Sequence, residues 1–381
     1  MKIIYICNEY PPFPHGGIGV FIKNLSENLV QKAINCTVIG IYDQHEKYKI
    51  ETVYGVEIRR IKKKKWLIGK LHPVIQLTLE RYQLSQEIEK LELLLKPDII
   101  ESYDWTGPLF KKPRAPLVVR LHGSNSAHSV YERRKISKYL YFWEKKNLKF
   151  ADRIISVSKF MLKSTAYAFK LKIFPEIVIY NFIDHSQFYY NNTIFRDPNK
   201  ILFVGKFHAR KGVFALFKIL NYLLPLKQEY FFEFVGNHTE EQKRQLLALL
   251  KPNLHSRINF INAIPHNQLM EVYNSATLMI MPSKAEAFGL TAIEAMACGC
   301  IVAMTNCATG PELITNEVDG ILINPEEHEK SAIKLHSILS NCDLVGKIRT
   351  AALEKSKYFG KENIILQNIA FYRSIVKGNE I

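Results

Sequence analysis

Glu286-Ala-Phe-Gly-Leu-Thr-Ala-Ile-Glu294-Ala-Met-Ala-Cys-Gly-Cys300 follows an apolar run, Leu278 to Met281, that Pro282-Ser283 closes. The order predicts a buried strand, a turn at Gly289 and a helix of Ala, Met and Glu that stops near Gly299. In such a strand, loop and helix start, the amides after Phe288 point outward with the positive end of the helix dipole. A phosphate or a polarised sugar hydroxyl would settle there. Two carboxylates frame the turn, Glu286 in the loop and Glu294 in the first turns of the helix. Carboxylates beside a phosphate site are poor electrostatics unless hydroxyls donate to them, and ribose and hexose supply hydroxyls. Taken alone, the spacing also fits an ordinary loop acid and a solvated helix acid, so the rest of the chain decides.

The pattern repeats outward from this stretch. Ile201 to Val204 reads as a strand, and Gly205-Lys206-Phe-His-Ala-Arg210-Lys211-Gly212 opens a helix from Val213 to Leu220. Three cations, Lys206, Arg210 and Lys211, beside two glycines at a helix start form an anion site in an order unlike a Walker loop. A desolvated charge-assisted bond from lysine to phosphate contributes roughly 1.5 to 3 kcal/mol. Tyr230 to Val235 and Arg257 to Ile261 supply further strands, with helices around 240–250 and 267–275. Thr309-Gly310-Pro311-Glu312 feeds a short helix with proline at its first position. Asp319 to Asn324 closes the sheet, and the tail from Lys357, with Tyr358, Phe359, Ile365, Ile369 and Tyr372, is expected as one long amphipathic helix.

The first half has the same grammar. Lys2 to Cys7 is a β-branched and aromatic run, the first strand of a parallel sheet. After the loop Pro11-Pro12-Phe13-Pro14, His15-Gly16-Gly17-Ile18-Gly19 leads into a helix with apolar spacing at Val20, Phe21, Leu25 and Leu29. Gly16 and Gly17 allow close approach of a ligand to the backbone, although plain turn chemistry explains such a pair equally well. Leu79 to Leu95 is helical in period. Asp98 to Ser102 and Leu117 to Leu121 read as buried parallel strands, the second ending in His122-Gly123-Ser124. A lone histidine is usually structural, but an imidazole at the carboxyl end of such a strand faces the ligand edge of a doubly wound sheet, placed to touch a sugar or a leaving phosphate. Asp152 to Ser158 is another strand, and Ile177 to Asp184 is expected as the last strand of this half, leading into a linker.

A chain of 381 residues suggests two domains, each with its own core. Met1 to Cys7 is too brief for a secretory signal, and no apolar run approaches the ~18 residues of a membrane span, so a cytosolic protein is expected. Six cysteines are scattered without metal or redox spacing, which leaves them as buried or bystander thiols. Net charge is +16 and uneven: residues 1–200 carry 33 Lys and Arg against 19 acids, residues 201–381 carry 19 against 17. A basic half attracts anionic lipid, nucleic acid or a polyanionic substrate, or is simply a soluble face. Arg59 to Lys70, with Trp66 beside four lysines, fits a membrane-surface contact, a nucleic-acid patch or a solvated loop, and no recognised nucleic-acid module accompanies it. Residues 133–149 mix seven cations with Tyr139, Tyr141, Phe142 and Trp143, which reads as a basic, aromatic helix for membrane or acceptor contact, or as a helix packed by its aromatics.

Together these motifs resemble the retaining nucleotide-sugar glycosyltransferases of family 4, across nearly the whole chain and most strongly from 201 to 324. Gly205-Lys206-x4-Lys211-Gly212 is similar to that family's Gly-Arg-x4-Lys-Gly diphosphate clamp, and Glu286-x7-Glu294 to its paired-glutamate signature. The glycine pair, His122-Gly123-Ser124 and Asn181 to Asp184 agree in order and spacing. The resemblance implies an α/β protein of the GT-B fold, two facing Rossmann-like doubly wound parallel-sheet domains. Residues 1–185 would be the acceptor-side domain, 186–360 the nucleotide-sugar domain, and 361–381 a helix packing back on the first. It also implies roles. Lys206 and Lys211, with Arg210, would neutralise the leaving diphosphate, helped by amides of Gly16 or Gly17. Glu286 would hold donor-sugar hydroxyls beside the amides of Phe288, Gly289 and Leu290. Glu294 would bind ribose, and His122 would contact the sugar near the reacting carbon. Lys206 stands where arginine is commoner, Phe182 where the linker usually has glycine, and Ala263 where a glycine is expected after the strand at 258–261.

The expected activity is retaining transfer of a hexose from a nucleoside diphosphate sugar to a glycan or lipid-linked acceptor, in polysaccharide or glycoconjugate synthesis. No metal or other cofactor is implied, and no nucleic-acid partner. The place of work would be the cytoplasmic face of an anionic membrane, as a peripheral protein. The competing readings are a nucleotide-sugar epimerase of the same fold and a non-catalytic sugar-nucleotide or membrane-binding protein. A nicotinamide dehydrogenase is disfavoured, since no Gly-x-Gly-x-x-Gly follows the first strand.

Overall fold

The structure is a computed structural model and describes residues 1–12, 17–42, 49–64, 73–132, 134–171 and 177–378. The chain divides into two compact units, Met1–Tyr180 with Ile364–Ile381, and Asn181–Asn363.

The first unit runs β1 (Lys2–Ile6), α1 (Gly17–Gln31), β2 (Asn35–Tyr42), β3 (Lys49–Val53), β4 (Val56–Lys62), α2 (Pro73–Leu95), β5 (Ile99–Tyr103), β6 (Leu117–Leu121), α3 (Asn125–Glu132), α4 (Lys138–Phe150), β7 (Arg153–Ser156) and α5 (Lys159–Phe169). Its seven strands lie in the order β3-β4-β2-β1-β5-β6-β7. All neighbours are parallel except β3, which pairs antiparallel with β4 at one edge. A parallel sheet is covered on both faces, and β5 and β6 are buried throughout, Glu101 and Arg120 included. Ile4, Ile6, Ile39, Val119 and Leu121 pack on one face with Leu84, Ile88 and Leu91 of α2. Helix α1 buries Phe21, Ile22, Leu25 and Leu29 at helical spacing.

The second unit runs β8 (Asp197–Val204), α6 (Val213–Leu223), β9 (Phe231–Val235), α7 (Glu240–Leu247), β10 (Ile258–Ile261), α8 (Leu269–Ser275), β11 (Ala276–Met281), α9 (Leu290–Ala297), β12 (Ile301–Thr305), α10 (Gly310–Leu313), β13 (Ile321–Ile323), α11 (His328–Leu339) and α12 (Cys342–Tyr358). The sheet order is β10-β9-β8-β11-β12-β13, with every neighbouring pair parallel. Leu216, Phe217 and Leu220 of α6 and Leu335 and Ile338 of α11 join Ile201, Phe203, Phe232, Ile280 and Ala303 in its core. The last helix, α13 (Lys361–Gly378), begins in this unit and returns its remainder to the first.

Two expected elements differ. Ile177 to Asp184 is not a strand: it makes one bridge with Ser156 through Val178 and another with Gly360 through Ile183. Its two ends belong to different units, so neither sheet holds it over enough residues to form a ladder. The tail is not one helix from Lys357, because α12 stops at Tyr358 and α13 starts at Lys361. There the Ile183 amide donates to the Phe359 carbonyl at 3.0 Å and the Lys361 amide donates to the Ile183 carbonyl at 3.1 Å, which diverts the backbone from helical pairing. Two basic stretches also resolve in part. Lys65 to Lys70, with Trp66, and Arg133 lie outside the described residues, and the 133–149 segment places Trp143 in the core while Phe142 is 56% exposed. No described helix is long and apolar enough to cross a membrane.

Candidate functional site

In each sheet the chain reverses direction of progress once, between β1 and β5 and between β8 and β11. Loops leaving the carboxyl ends of strands beside such a reversal splay apart and leave a crevice for ligands. In the second unit those loops are the two singled out from sequence, Gly205 to Gly212 after β8 and Pro282 to Gly289 after β11.

They are locked to each other. Gly212 has φ +73° and caps α6; a Cβ there would lie 2.0 Å from the Pro282 carbonyl oxygen, so only glycine fits both the conformation and the space. The Lys284 amide donates to the Arg210 carbonyl at 2.9 Å. This closeness delivers Lys211 Nζ to Glu286 Oε2 at 2.5 Å, both side chains being partly exposed. Lys206 is exposed and pairs with no carboxylate among the described residues. Gly289, at φ +105°, turns the chain into α9, whose first amides begin at Leu290. The Phe288 ring does not face a ligand; it is buried edge-on against Phe359, 5.7 Å between centroids, leaving only its backbone for one.

Glu294 is buried rather than solvated. Its carboxylate accepts from His266 Nε2 at 2.9 Å and from the Tyr273 hydroxyl at 3.2 Å. The bond to Glu294 raises the His266 pKa above its ordinary value against a smaller opposing effect of burial. Phe188 backs the imidazole at 4.9 Å. Neither His266 nor Tyr273 stands out in the sequence, because nothing local to residue 266 or 273 marks a partner in α9.

In the first unit, Gly17 opens α1 and nothing lies within 4 Å of where its Cβ would be. Gly16 lies outside the described residues. His122 follows β6, and Asp104 follows β5. The Asp104 carboxylate accepts the His122 amide at 2.9 Å and the Gly123 amide at 3.2 Å, fixing the backbone of the imidazole. Burial pushes the Asp104 carboxyl up to about 7, against the lowering effect of those amides. The His122 ring packs edge-on to Phe21 at 5.2 Å, and its buried Nε2 has no hydrogen-bond partner among the described residues. Burial first, and the Arg120 charge second, push the imidazole down to about 3, so it is neutral at physiological pH. Neutral, it can donate to or accept from a hydroxyl.

Glu144 of α4 completes this corner. It accepts the amides of Thr106, Asn125 and Ser126 at 3.1, 2.9 and 3.0 Å and the Ser126 hydroxyl at 2.5 Å. The start of α3 is therefore already paired with an anion from its own chain. Asp104 was legible in principle, as an acid leaving a strand beside the reversal; Glu144 was not. Chemically, the second unit offers cations, helix amides and two hydroxyl acceptors, and the first a buried neutral imidazole. Among the described residues, no three His, Cys, Asp or Glu side chains converge as metal ligands.

Known proteins share the family profiles and the fold of this chain. The profile described as Glycosyltransferase Family 4 matches residues 15–187, and that described as Glycosyl transferases group 1 matches residues 189–355. An uncharacterized glycosyltransferase of Methanocaldococcus jannaschii is 26% identical, over 98% of each chain. Among solved structures, a sucrose-phosphate synthase from Thermosynechococcus elongatus superposes with a TM-score of 0.80 at 20% identity over 99% of each chain. The Anabaena protein HepE, solved in complex with UDP and glucose, gives 0.72 at 16% identity, covering 98% of this chain and 100% of its own. These last two likenesses concern the fold, which is GT-B.

Proposed function

We propose the following reading for a chain that belongs to glycosyltransferase family 4: it moves a hexose, with retention of configuration, from a nucleoside diphosphate sugar to a glycan or lipid-linked acceptor. One observation carries it most. Lys211 and Glu286 meet at 2.5 Å beside Lys206 and the start of α9, at the carboxyl ends of the two strands that flank a sheet reversal. A cation pair and helix amides suit a diphosphate, while an adjacent carboxylate suits sugar hydroxyls; one sugar nucleotide carries both.

In this reading Lys206, Lys211 and Arg210 hold the diphosphate and take up charge as it leaves. Glu286 and the amides of Phe288 to Leu290 orient the sugar, Glu294 accepts from the ribose diol, and His122 bonds a sugar hydroxyl. Gly17 leaves room for phosphate at the start of α1. The C1–O bond to phosphate breaks, the acceptor oxygen bonds to C1 on the same face, and the acceptor proton passes to a diphosphate oxygen. Positioning and charge stabilisation supply most of the rate. With lysines in place to meet the charge, turnover without added metal is part of the proposal. The UDP and glucose bound by HepE make UDP-glucose the first donor to try.

The test is incubation with UDP- and GDP-sugars, with and without chelator, and NMR of the anomer formed. Retained configuration and indifference to chelator are expected; no turnover with any donor, or an inverted anomer, overturns the reading. Work at an anionic membrane is a separate proposal, motivated by Lys138, Lys145 and Lys149 around exposed Phe142 on α4. Flotation with anionic vesicles tests it, and equal recovery with neutral vesicles would remove it.

A further inference from the structure

Behind His122 the first unit buries a charge that its strand pattern does not call for. Arg120 lies inside β6 and is fully buried, as is Glu101 on the neighbouring β5. Arg120 donates from Nε to Glu101 Oε1 at 2.7 Å and from Nη2 to Glu101 Oε2 at 3.2 Å. The same Nη2 lies 2.7 Å from Asn368 Oδ1 and 3.1 Å from the Tyr372 hydroxyl, both carried by α13. Tyr372 in turn donates to Glu101 Oε2 at 2.7 Å and accepts from the Tyr5 hydroxyl at 3.2 Å, and Asn368 Nδ2 donates to the Ile364 carbonyl at 2.8 Å. On its other side the guanidinium lies 5.0 Å from the centre of the Phe21 ring, and Phe21 is the ring against which His122 packs at 5.2 Å. Nη1, which has no hydrogen-bond partner among the described residues, is left to that aromatic face.

We propose that α13 is a positioning element for the chemistry: Asn368 and Tyr372 set the Arg120–Glu101 pair, which seats Phe21 and, through that ring, fixes the orientation of the His122 imidazole. The inference rests on the reading of His122 as the group that meets the donor sugar. A buried ion pair is weak evidence of stability, since apolar side chains of equal volume would hold α13 about as well. What the pair adds is a single geometry, because five bonds among four residues from three elements admit few alternatives. The guanidinium charge also acts on the imidazole, so its place bears on the ring electrostatically as well as by packing.

The experiment is a double-substitution cycle on the full chain. Tyr372→Phe removes the hydroxyl shared by Glu101 and Arg120 and keeps the ring; His122→Ala removes the endpoint. We expect Tyr372→Phe to lower kcat about tenfold, which corresponds to about 1.4 kcal/mol in the barrier. The donor KM should stay within about twofold, because Lys206, Lys211, Glu286 and Glu294 belong to the other unit. In the His122→Ala background the same substitution should change kcat less than about twofold. An equal fall in both backgrounds, or no fall in either, overturns the proposal. If Tyr372→Phe does not fold, Asn368→Ala and Phe21→Leu replace it in the same cycle. If the native chain turns over no donor, the proposed function has failed, and this inference is then read from the His122 imidazole resonances. They should move on Tyr372→Phe, and unmoved resonances refute it.

Discussion

Lys211 carries the most quantitative expectation, for it pairs with Glu286 in the structure and, in the proposed reading, meets the diphosphate during transfer. Its ammonium lies 2.5 Å from Glu286, with the lysine side chain 23% exposed and the glutamate 16%. Exposed pairs contribute about 0.2 to 1 kcal/mol, and breaking fully buried ones costs about 3 to 5. With both partners partly wet, Lys211→Met should cost stability near the upper end of the exposed range, about 1 kcal/mol. Its effect on transfer should be larger. A charge-assisted bond to a diphosphate that gains charge as it leaves contributes roughly 1.5 to 3 kcal/mol, a loss of roughly 10- to 150-fold in kcat/KM. Lys211→Arg should recover part of this, since it keeps the charge but not the compact ammonium geometry. The assay is initial-rate release of nucleoside diphosphate, with urea unfolding of each variant alongside. Should Lys211→Met keep kcat/KM within about twofold of the native chain while folding normally, the placement of the diphosphate at this loop pair would be wrong.

Three further outcomes follow from the same geometry. Gly212→Ala puts a methyl group where the Pro282 carbonyl already lies and holds alanine at a left-handed φ, so unfolding should shift by several kcal/mol, at least the roughly 1–2 kcal/mol of the backbone conformation alone; denaturation showing near-native stability would contradict the packing of the two loops. Glu144→Ala strips the buried amides of Asn125 and Ser126 and the part-buried amide of Thr106 of their acceptor; at about 1–3 kcal/mol for each donor left dry, a loss of about 2 kcal/mol or more is expected in urea titrations. Asp104, with its carboxyl raised to about 7 by burial, binds its proton more tightly folded than unfolded. Its contribution is thus full below the ordinary carboxylate range near pH 4 and is lost as pH rises through about 7, and Asp104→Asn should flatten the slope of stability between those limits.

The parts of the site that could be read from the chain are those whose signal is local. Gly205 to Gly212 and Glu286 to Glu294 each span one loop and one helix start, so strand period, glycine and charge appear within about ten residues of one another. His122 was placed by the same means, as the residue that leaves a strand. Asp184 shows the limit of this kind of reading. The extended run before it looks like a strand, yet each of its ends finds a different partner and neither makes a ladder. The basic segment at 133–149 shows another: composition could not say that Trp143 turns inward while Phe142 stays exposed.

By itself, then, the sequence determined two parallel α/β sheets and the loops that carry the lysines and the glutamate pair. Apolar period, turn residues and helix starts are set by near neighbours in the chain. Tertiary structure alone decided that Glu294 is buried under His266 and Tyr273, that Glu144 occupies the start of α3, and that α13 returns to hold Arg120 and Glu101. These bonds join residues up to 271 positions apart. Such pairing depends on which surfaces the packed helices and sheets bring together, and no local period in the chain records it.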